Sequence, residues 1–95
     1  MAERELLMVF CYDVAKDRVR ERVADLLESE LARVQRSVFE GRMTAAAAER
    51  LGRRVNALME EGDSLRVYAV TPVGLKHSRA FDKLGLAAPQ DYWLV

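Results

Sequence analysis

Arginine is the residue type in this chain that is best suited to hold a ligand. Twelve of the fifteen basic residues are arginine, and they are densest between Arg18 and Arg54. A guanidinium fork matches the oxygen atoms of a phosphate group, so one interpretation is a phosphate-binding surface. The same arginines are interleaved with acidic residues, and the alternative is a solvated helix surface held by salt bridges. A formal net charge of zero argues against a strong attraction of nucleic acid by the whole molecule.

One aspartate stands at the end of the first apolar run. Asp13 follows the run Leu6–Tyr12, so its carboxylate is expected at the carboxyl end of a strand and outside the core. The alternative is that Asp13 caps the next helix, because Asp is a favoured N-cap residue. Cys11 is expected to pack in the core, and His77 to lie in a surface loop. Gly-rich phosphate loops, Cys/His zinc patterns and a convincing Ser/His/Asp arrangement are all missing from the sequence.

The composition is that of a small folded protein. The 95 residues suffice for one domain, with a core over about residues 5–71 and a tail over residues 72–95. So small a domain is marginally stable alone and would gain from pairing with a second copy. The single cysteine indicates a reducing compartment, and the acidic start of the chain argues against a secretory signal. We therefore expect a cytoplasmic protein without a membrane segment.

Hydrophobic periodicity and turn residues predict a series of elements. They are a strand at Leu6–Tyr12, a helix at Lys16–Glu30, a β region at Ala32–Met43, a helix at Ala45–Glu60 and a strand at Leu65–Thr71. The long β region is expected to be a hairpin or a bent strand that breaks near Arg36–Ser37. Thr44 is expected to cap the second helix, and Gly62 to stop it. Residues 73–88 are weakly patterned, and the β-prone segment Asp91–Val95 closes the chain.

The order of these elements is β-α-β-β-α-β, which predicts an α+β fold of the ferredoxin-like type. Its antiparallel sheet would carry both helices on one face and leave the other face open. A second subunit could cover that open face, which predicts a homodimer. The apolar segment Asp91–Val95 is expected to form an extra C-terminal strand on the edge of a partner's sheet.

Three motifs give the chain a likeness to a known family. They are Tyr12-Asp13 before an arginine-rich helix, the run Arg33-Val-Gln-Arg-Ser-Val-Phe-Glu40 followed by Gly41-Arg-Met-Thr, and Leu65-Arg-Val-Tyr68 after a Glu-Glu-Gly-Asp-Ser turn. Over residues 5–71 the chain resembles the small CRISPR-associated Cas-two proteins. The run that begins at Arg33 is the most specific of the three motifs, and the Tyr-Asp pair alone is weak.

The resemblance implies an activity and partners that composition does not. Such proteins are symmetric dimers, in which two copies of the first-strand aspartate face each other and can hold a divalent metal. Some members are described as metal-dependent nucleases on RNA or double-stranded DNA. Members also bridge two dimers of the CRISPR integrase, so that the assembly grips foreign DNA. The implied cofactor is Mg²⁺ or Mn²⁺, and Asp13 matches the metal-site aspartate.

Most of the remaining site residues follow from the same match. The resemblance places Tyr12 beside the catalytic Asp13 and implies nucleic-acid contacts by Arg20, Arg22, Arg33, Ser37 and Phe39. Arg36 is expected to contact nucleic acid for another reason, since Arg33, Arg36 and Arg42 lie on the β region and could form a positive strip along the dimer. For each there is a plainer alternative. The helix arginines could pair with neighbouring acids, and Tyr12 and Phe39 could serve packing alone.

Three functions are therefore carried forward. The first is an architectural protein of CRISPR adaptation, or spacer acquisition, which bridges the integrase and contacts DNA backbone without catalysis. The second is a magnesium- or manganese-dependent endonuclease centred on Asp13. The third is a ferredoxin-like regulatory or toxin-type dimer without a CRISPR role.

Overall fold

The computed structural model describes residues 3–81 and 83. Its elements in chain order are β1 (Glu5–Asp13), α1 (Asp17–Glu28), β2 (Ala32–Gln35), β3 (Val38–Thr44), α2 (Ala45–Leu58), β4 (Ser64–Val70) and α3 (Pro72–His77). The predicted terminal strand Asp91–Val95 lies outside the described residues. No helix in the described part of the chain is long and apolar enough to cross a membrane.

The four strands form one antiparallel sheet in the order β2-β3-β1-β4. In the centre, Phe10 of β1 lies opposite Phe39 of β3 on one side and Val67 of β4 on the other. This is the order of a split βαβ arrangement, since β3 separates β1 from β2 and β1 separates β3 from β4. The predicted ferredoxin-like α+β fold is confirmed.

The core lies between the sheet and the helices α1 and α2. Because side chains alternate along a strand, Met8, Phe10 and Tyr12 of β1 share the face that contacts the helices. The helices contribute apolar stripes to the same core, Val19, Val23 and Leu27 from α1 and Ala48, Leu51 and Val55 from α2. Removal of these side chains from water is the main term that stabilises the fold. Both helices therefore pack on one face, as predicted.

The opposite face of the sheet is called here the second face. It carries the alternate side chains of each strand, which point away from α1 and α2. Leu7, Val9, Cys11 and Asp13 point this way from β1, and Tyr68 does so from β4. Exposure on this face is graded, since Leu7 is buried, Val9 and Cys11 are half-buried, and Tyr68 is 51% exposed. Cys11 is thus not in the core between sheet and helices, because strand alternation places it one residue out of phase with Phe10 and Tyr12.

The second β region is the predicted hairpin. It breaks at Arg36–Ser37, and the register of β2 against β3 shifts between Arg33 and Gln35. The second helix begins as predicted, because the Ala47 amide donates a hydrogen bond to Thr44 Oγ1 at 3.1 Å. Gly62 does not end that helix directly. It occupies the following turn with φ 93°, a conformation that glycine adopts most easily.

The segment after β4 differs from the prediction. Thr71 accepts a hydrogen bond from the Gly74 amide at 3.1 Å, and Pro72 begins the short helix α3. His77 is therefore the exposed last residue of a helix rather than part of a loop. A helix of one and a half turns is too short to show an apolar stripe, so hydrophobic periodicity missed it.

Candidate functional site

The predicted site residues converge at one end of the sheet. There β1 ends, α1 begins and the β2–β3 turn closes, which leaves a concave site of about 460 Å³. Six of the eight predicted residues line it, namely Tyr12, Asp13, Arg20, Arg33, Arg36 and Ser37. The acidic side chains of Glu21 and Asp25 line the same concave site, so its charge is mixed.

Asp13 is the last residue of β1 and lies opposite Ser64 of β4. Its side chain is exposed, and within residues 3–81 it forms no hydrogen bond or ion pair. It does not cap α1, because the N-cap position belongs to Lys16 and no side chain bonds the helix there. The capping alternative is therefore wrong, since Val14 and Ala15 separate Asp13 from that cap.

A metal ion at Asp13 would need more ligands than the described part of one chain supplies. Magnesium prefers near-octahedral coordination by oxygen atoms and is bound through one or two carboxylates with several waters. Among the described residues, no group of three or more His, Cys, Asp and Glu side chains could hold a metal. The described part of one chain thus surrounds Asp13 with no cluster of further ligands. A second copy of the chain could provide a second carboxylate.

Tyr12 connects the end of β1 to the hairpin turn. Its side chain is buried, and its hydroxyl donates a hydrogen bond to the backbone carbonyl of Arg36 at 3.2 Å. Its backbone amide donates to the carbonyl of Ser37 at 3.1 Å. The ring packs against Phe39, with the two ring centroids 6.2 Å apart. Tyr12 therefore contacts the same turn through both its main chain and its side chain.

Arg33 of β2 also binds this turn. Its Nε and Nη2 atoms donate to the Arg36 carbonyl at 3.1 and 2.6 Å, and its Nη1 atom donates to Glu28 at 3.3 Å. The guanidinium carbon lies 5.3 Å from the centroid of the Phe39 ring, which is a cation–π distance. Phe39 itself is fully buried, so the structure places it in the core.

The other predicted arginines differ in their freedom to bind a ligand. Arg20 donates to the backbone carbonyls of Val14 and Ala15 at 2.9 and 3.2 Å and pairs with Asp17. Arg22 is exposed and does not line the site. It is two residues after Arg20 on α1, and two residues advance about 200° around a helix, so the two side chains point in nearly opposite directions. The guanidinium of Arg36 is exposed at the rim and has no side-chain partner among residues 3–81.

Asp63 organises this end of the molecule, and sequence analysis did not single it out. Its Oδ1 accepts the Ala15 amide at 3.2 Å, and its Oδ2 accepts the Glu60 amide at 2.9 Å. It thereby joins the loop before α1 to the turn after α2. Aspartate often accepts nearby amides within turns, and the Gly62-Asp63 pair was the available signal. No sequence signal pointed to the contact of Asp63 with Ala15, because the two residues are far apart in the chain.

An ion pair lies beside Asp63. Lys16 Nζ lies 2.7 Å from a carboxylate oxygen of Glu60, and both side chains are largely exposed. The hydrogen bond to Glu60 raises the pKa of Lys16 above its ordinary value, and the charge of Glu60 acts in the same direction. The start of α1 is thus also linked to the end of α2.

Comparison with known proteins places this chain in a family. Residues 6–76 match the family model described as CRISPR associated protein Cas2. The CRISPR-associated endoribonuclease Cas2 of Thermus thermophilus is 37% identical over 89 residues, which are 93% of this chain and 95% of that protein.

Solved structures agree in fold. Streptococcus pyogenes Cas2 superposes with a TM-score of 0.68 at 25% identity, over 81% of this chain and all of that one. A chain of the partial Cas6-RT-Cas1–Cas2 complex also gives a TM-score of 0.68, at 30% identity, over 90% of this chain and 92% of its own.

Proposed function

Because this chain belongs to the CRISPR associated protein Cas2 family, we propose that it acts in CRISPR adaptation as a homodimer that bridges the integrase and contacts the backbone of double-stranded DNA. One observation carries the proposal: nearly the whole chain is similar to a chain of a Cas1–Cas2 complex. Membership of the family supports a role in CRISPR over the regulatory or toxin-type dimer.

The second face supports the dimer. It presents apolar side chains that α1 and α2 do not cover, including Val9 and the exposed ring of Tyr68. Asp13 lies on the same face, at the end of the same strand. A two-fold axis that passes through this face near the end of β1 would bring the Asp13 side chains of the two copies toward each other.

The rim of the concave site supports contact with DNA backbone. Arg36 is exposed without a side-chain partner in the described part of the chain, and Ser37, the next residue, also lines the site. A guanidinium and a hydroxyl both bind phosphate oxygens, and such contacts carry no sequence information. Binding should therefore be insensitive to sequence and should weaken steeply with salt, by about 0.9 in log K per log salt for each phosphate neutralised. A slope near zero would contradict DNA binding.

Spacer integration in vitro tests the architectural role. The cognate integrase is supplied with wild-type protein, with Asp13→Ala or with no second protein. Integration that requires this protein and survives Asp13→Ala supports a scaffold. Loss of integration by a folded, dimeric Asp13→Ala variant would assign Asp13 a chemical or metal-structural role instead. Integration without the protein would refute the proposal.

A metal-dependent endonuclease is the second candidate, because a close relative is a CRISPR-associated endoribonuclease. The two Asp13 carboxylates of a dimer would hold Mg²⁺ or Mn²⁺, which would supply Lewis acidity toward a phosphodiester of RNA or double-stranded DNA. From this chain, Arg36 would neutralise charge on the phosphate, and Arg20 would keep the loop before α1 in place.

Cleavage assays distinguish this candidate. Asp13→Asn and addition of a chelator should each abolish cleavage of RNA or duplex DNA, while Asp25→Asn, in the same concave site, should keep it. Cleavage that persists in purified Asp13→Asn would contradict a catalytic centre at Asp13.

A further inference from the structure

The β2–β3 turn has a conformation that the hairpin alone does not favour. Two-residue hairpin turns prefer positive φ values, because these match the twist of the paired strands. Neither Arg36 nor Ser37 has a positive φ, and neither is glycine. The strand pair next to the turn is irregular, with a register shift between Arg33 and Gln35. Contacts from outside the turn are therefore expected to hold it.

Those contacts converge on one atom. The Arg36 carbonyl oxygen accepts the Tyr12 hydroxyl at 3.2 Å and two guanidinium nitrogens of Arg33 at 3.1 and 2.6 Å. A carbonyl oxygen has two lone pairs, so three donors saturate it. The two bonds from Arg33 are charge-assisted, which makes them stronger than bonds between neutral groups.

Both donors are anchored on the same buried ring. Tyr12 packs against Phe39 from β1, and Arg33 lies over Phe39 from β2. Each of the three guanidinium nitrogens of Arg33 also has an acceptor within the chain, Glu28 being the third contact. Arg36, by contrast, has an exposed guanidinium without a side-chain partner in the described residues. Arg33, in β2, and Arg36, in the turn itself, thus have different roles.

We propose that Tyr12 and Arg33 are positioning residues: by holding the Arg36 carbonyl they fix the turn, so that the Arg36 side chain stands at the rim of the site and contacts a phosphate of the nucleic acid. The part that concerns nucleic acid rests on the proposed function. The part that concerns the turn does not, and it is measured separately.

Hydrogen exchange of the residue 12 amide, which donates to the Ser37 carbonyl at 3.1 Å, is followed by NMR and tests the turn. Tyr12→Phe removes only the hydroxyl and keeps the ring on Phe39. Loss of one hydrogen bond should raise local opening, and hence exchange, by about fivefold. Ser78→Ala removes a hydroxyl that donates to the Gly74 carbonyl of α3 at 2.9 Å, away from the turn, and is the control for this measurement. Unchanged exchange in Tyr12→Phe would overturn the proposal, whatever the protein binds.

A double-mutant comparison of duplex DNA affinity tests the consequence. Arg36→Ala should weaken binding and lower the magnitude of the salt slope by about 1. Tyr12→Phe should weaken binding by about fivefold in the wild type and have no further effect in Arg36→Ala, because the side chain that it positions is gone. Losses that multiply in the double variant would show that Tyr12 acts independently of Arg36, which refutes positioning.

The variant Arg33→Lys distinguishes the paired hydrogen bonds of the Arg33 guanidinium from its positive charge. Lysine keeps the positive charge but cannot make the paired bonds to one carbonyl. We expect increased exchange in the turn and weaker DNA binding, whereas Arg53→Lys, the same change on α2, should alter neither. If Arg33→Lys keeps full affinity and an ordinary turn, Arg33 acts by charge and the proposal is wrong. If wild type binds no DNA, the proposed function fails, and the exchange data still decide whether the turn is held.

Discussion

At the scale of single residues, one carboxylate that binds backbone amides links two loops at the site end of the molecule. Asp63 holds two loops together through one amide in each, Ala15 before α1 and Glu60 after α2. Asp13 is exposed and its side chain binds no backbone amide in residues 3–81. Only Asp63 of these two aspartates thus links loops of the described chain, and the role of Asp13 in the site belongs to the proposed function.

Replacement of Asp63 by alanine should lower the free energy of unfolding by about 1–2 kcal/mol, because two backbone amides lose their acceptor. Urea denaturation followed by circular dichroism measures the change. Asp25→Ala, on the exposed side of α1, should stay within about 0.5 kcal/mol of wild type. Equal stability of the two variants would show that water replaces the Asp63 carboxylate without loss.

The Lys16–Glu60 pair should add a pH-dependent term to stability. Because Glu60 raises the pKa of Lys16 in the folded chain, the stabilisation is fully present below the ordinary lysine pKa of about 10.4 and is lost as pH rises through the raised value. The free energy of unfolding of Lys16→Gln, followed as a function of pH, should therefore be lower than that of wild type below this pH range. Above the range the two values should converge. Lys76→Gln, on α3, is the control. A difference that stays constant through high pH would rule out this titration.

At the scale of elements, the packing of α2 on β4 leaves unused space. A Cβ atom added to Gly52 would lie 3.9 Å from side-chain carbons of both Leu65 and Val67, which is ordinary van der Waals contact. Val67 is 39% exposed although it faces the helices. The glycine is thus not required by the packing of this helix on this strand.

Gly52→Ala should raise the free energy of unfolding by about 1 kcal/mol, since alanine has the higher helix propensity and meets no close atom. Arg50→Gly, at an exposed position in the middle of α2, should lower it by a similar amount. Thermal and urea denaturation of both variants measure this. Destabilisation by Gly52→Ala would mean that α2 lies closer to β4 in solution.

At the scale of the whole molecule, the two faces of the sheet have different chemistry. One face is filled by α1 and α2, whereas the second face carries half-buried Val9 and Cys11 and the exposed ring of Tyr68. A small domain buries a limited part of its surface and gains stability when a second copy covers such a face. This asymmetry is the physical argument for the proposed dimer.

Tyr68→Glu should dissociate the proposed dimer, because it places a charge among apolar side chains of the interface. Light scattering should give the mass of two chains for wild type and of one chain for the variant. Ala57→Glu, on the outer side of α2, should keep the wild-type mass. A wild-type mass for folded Tyr68→Glu would exclude the second face as the interface.

Much of the fold was determined by the sequence alone. A continuous apolar run and β-forming residues indicated the strands, and apolar residues at helical spacing indicated the helices. The Thr44 cap and the break at Arg36–Ser37 fixed two of the ends. These are local properties, because they depend on neighbours along the chain. The short helix α3 was missed for the same reason, since it has too few residues to show a period.

Only the tertiary structure decided which residues of the site hold the β2–β3 turn and which side chain remains available to a ligand. The sequence supplied Tyr12, Arg33 and Arg36 as equal candidates, but it held no information on which of them meet. Folding brings the Tyr12 hydroxyl and the Arg33 guanidinium to one carbonyl of the turn and leaves the Arg36 side chain free at the rim. The physical reason is that hydrogen bonds between residues distant in the chain depend on the register of β1 and β2 against β3, which no local pattern encodes.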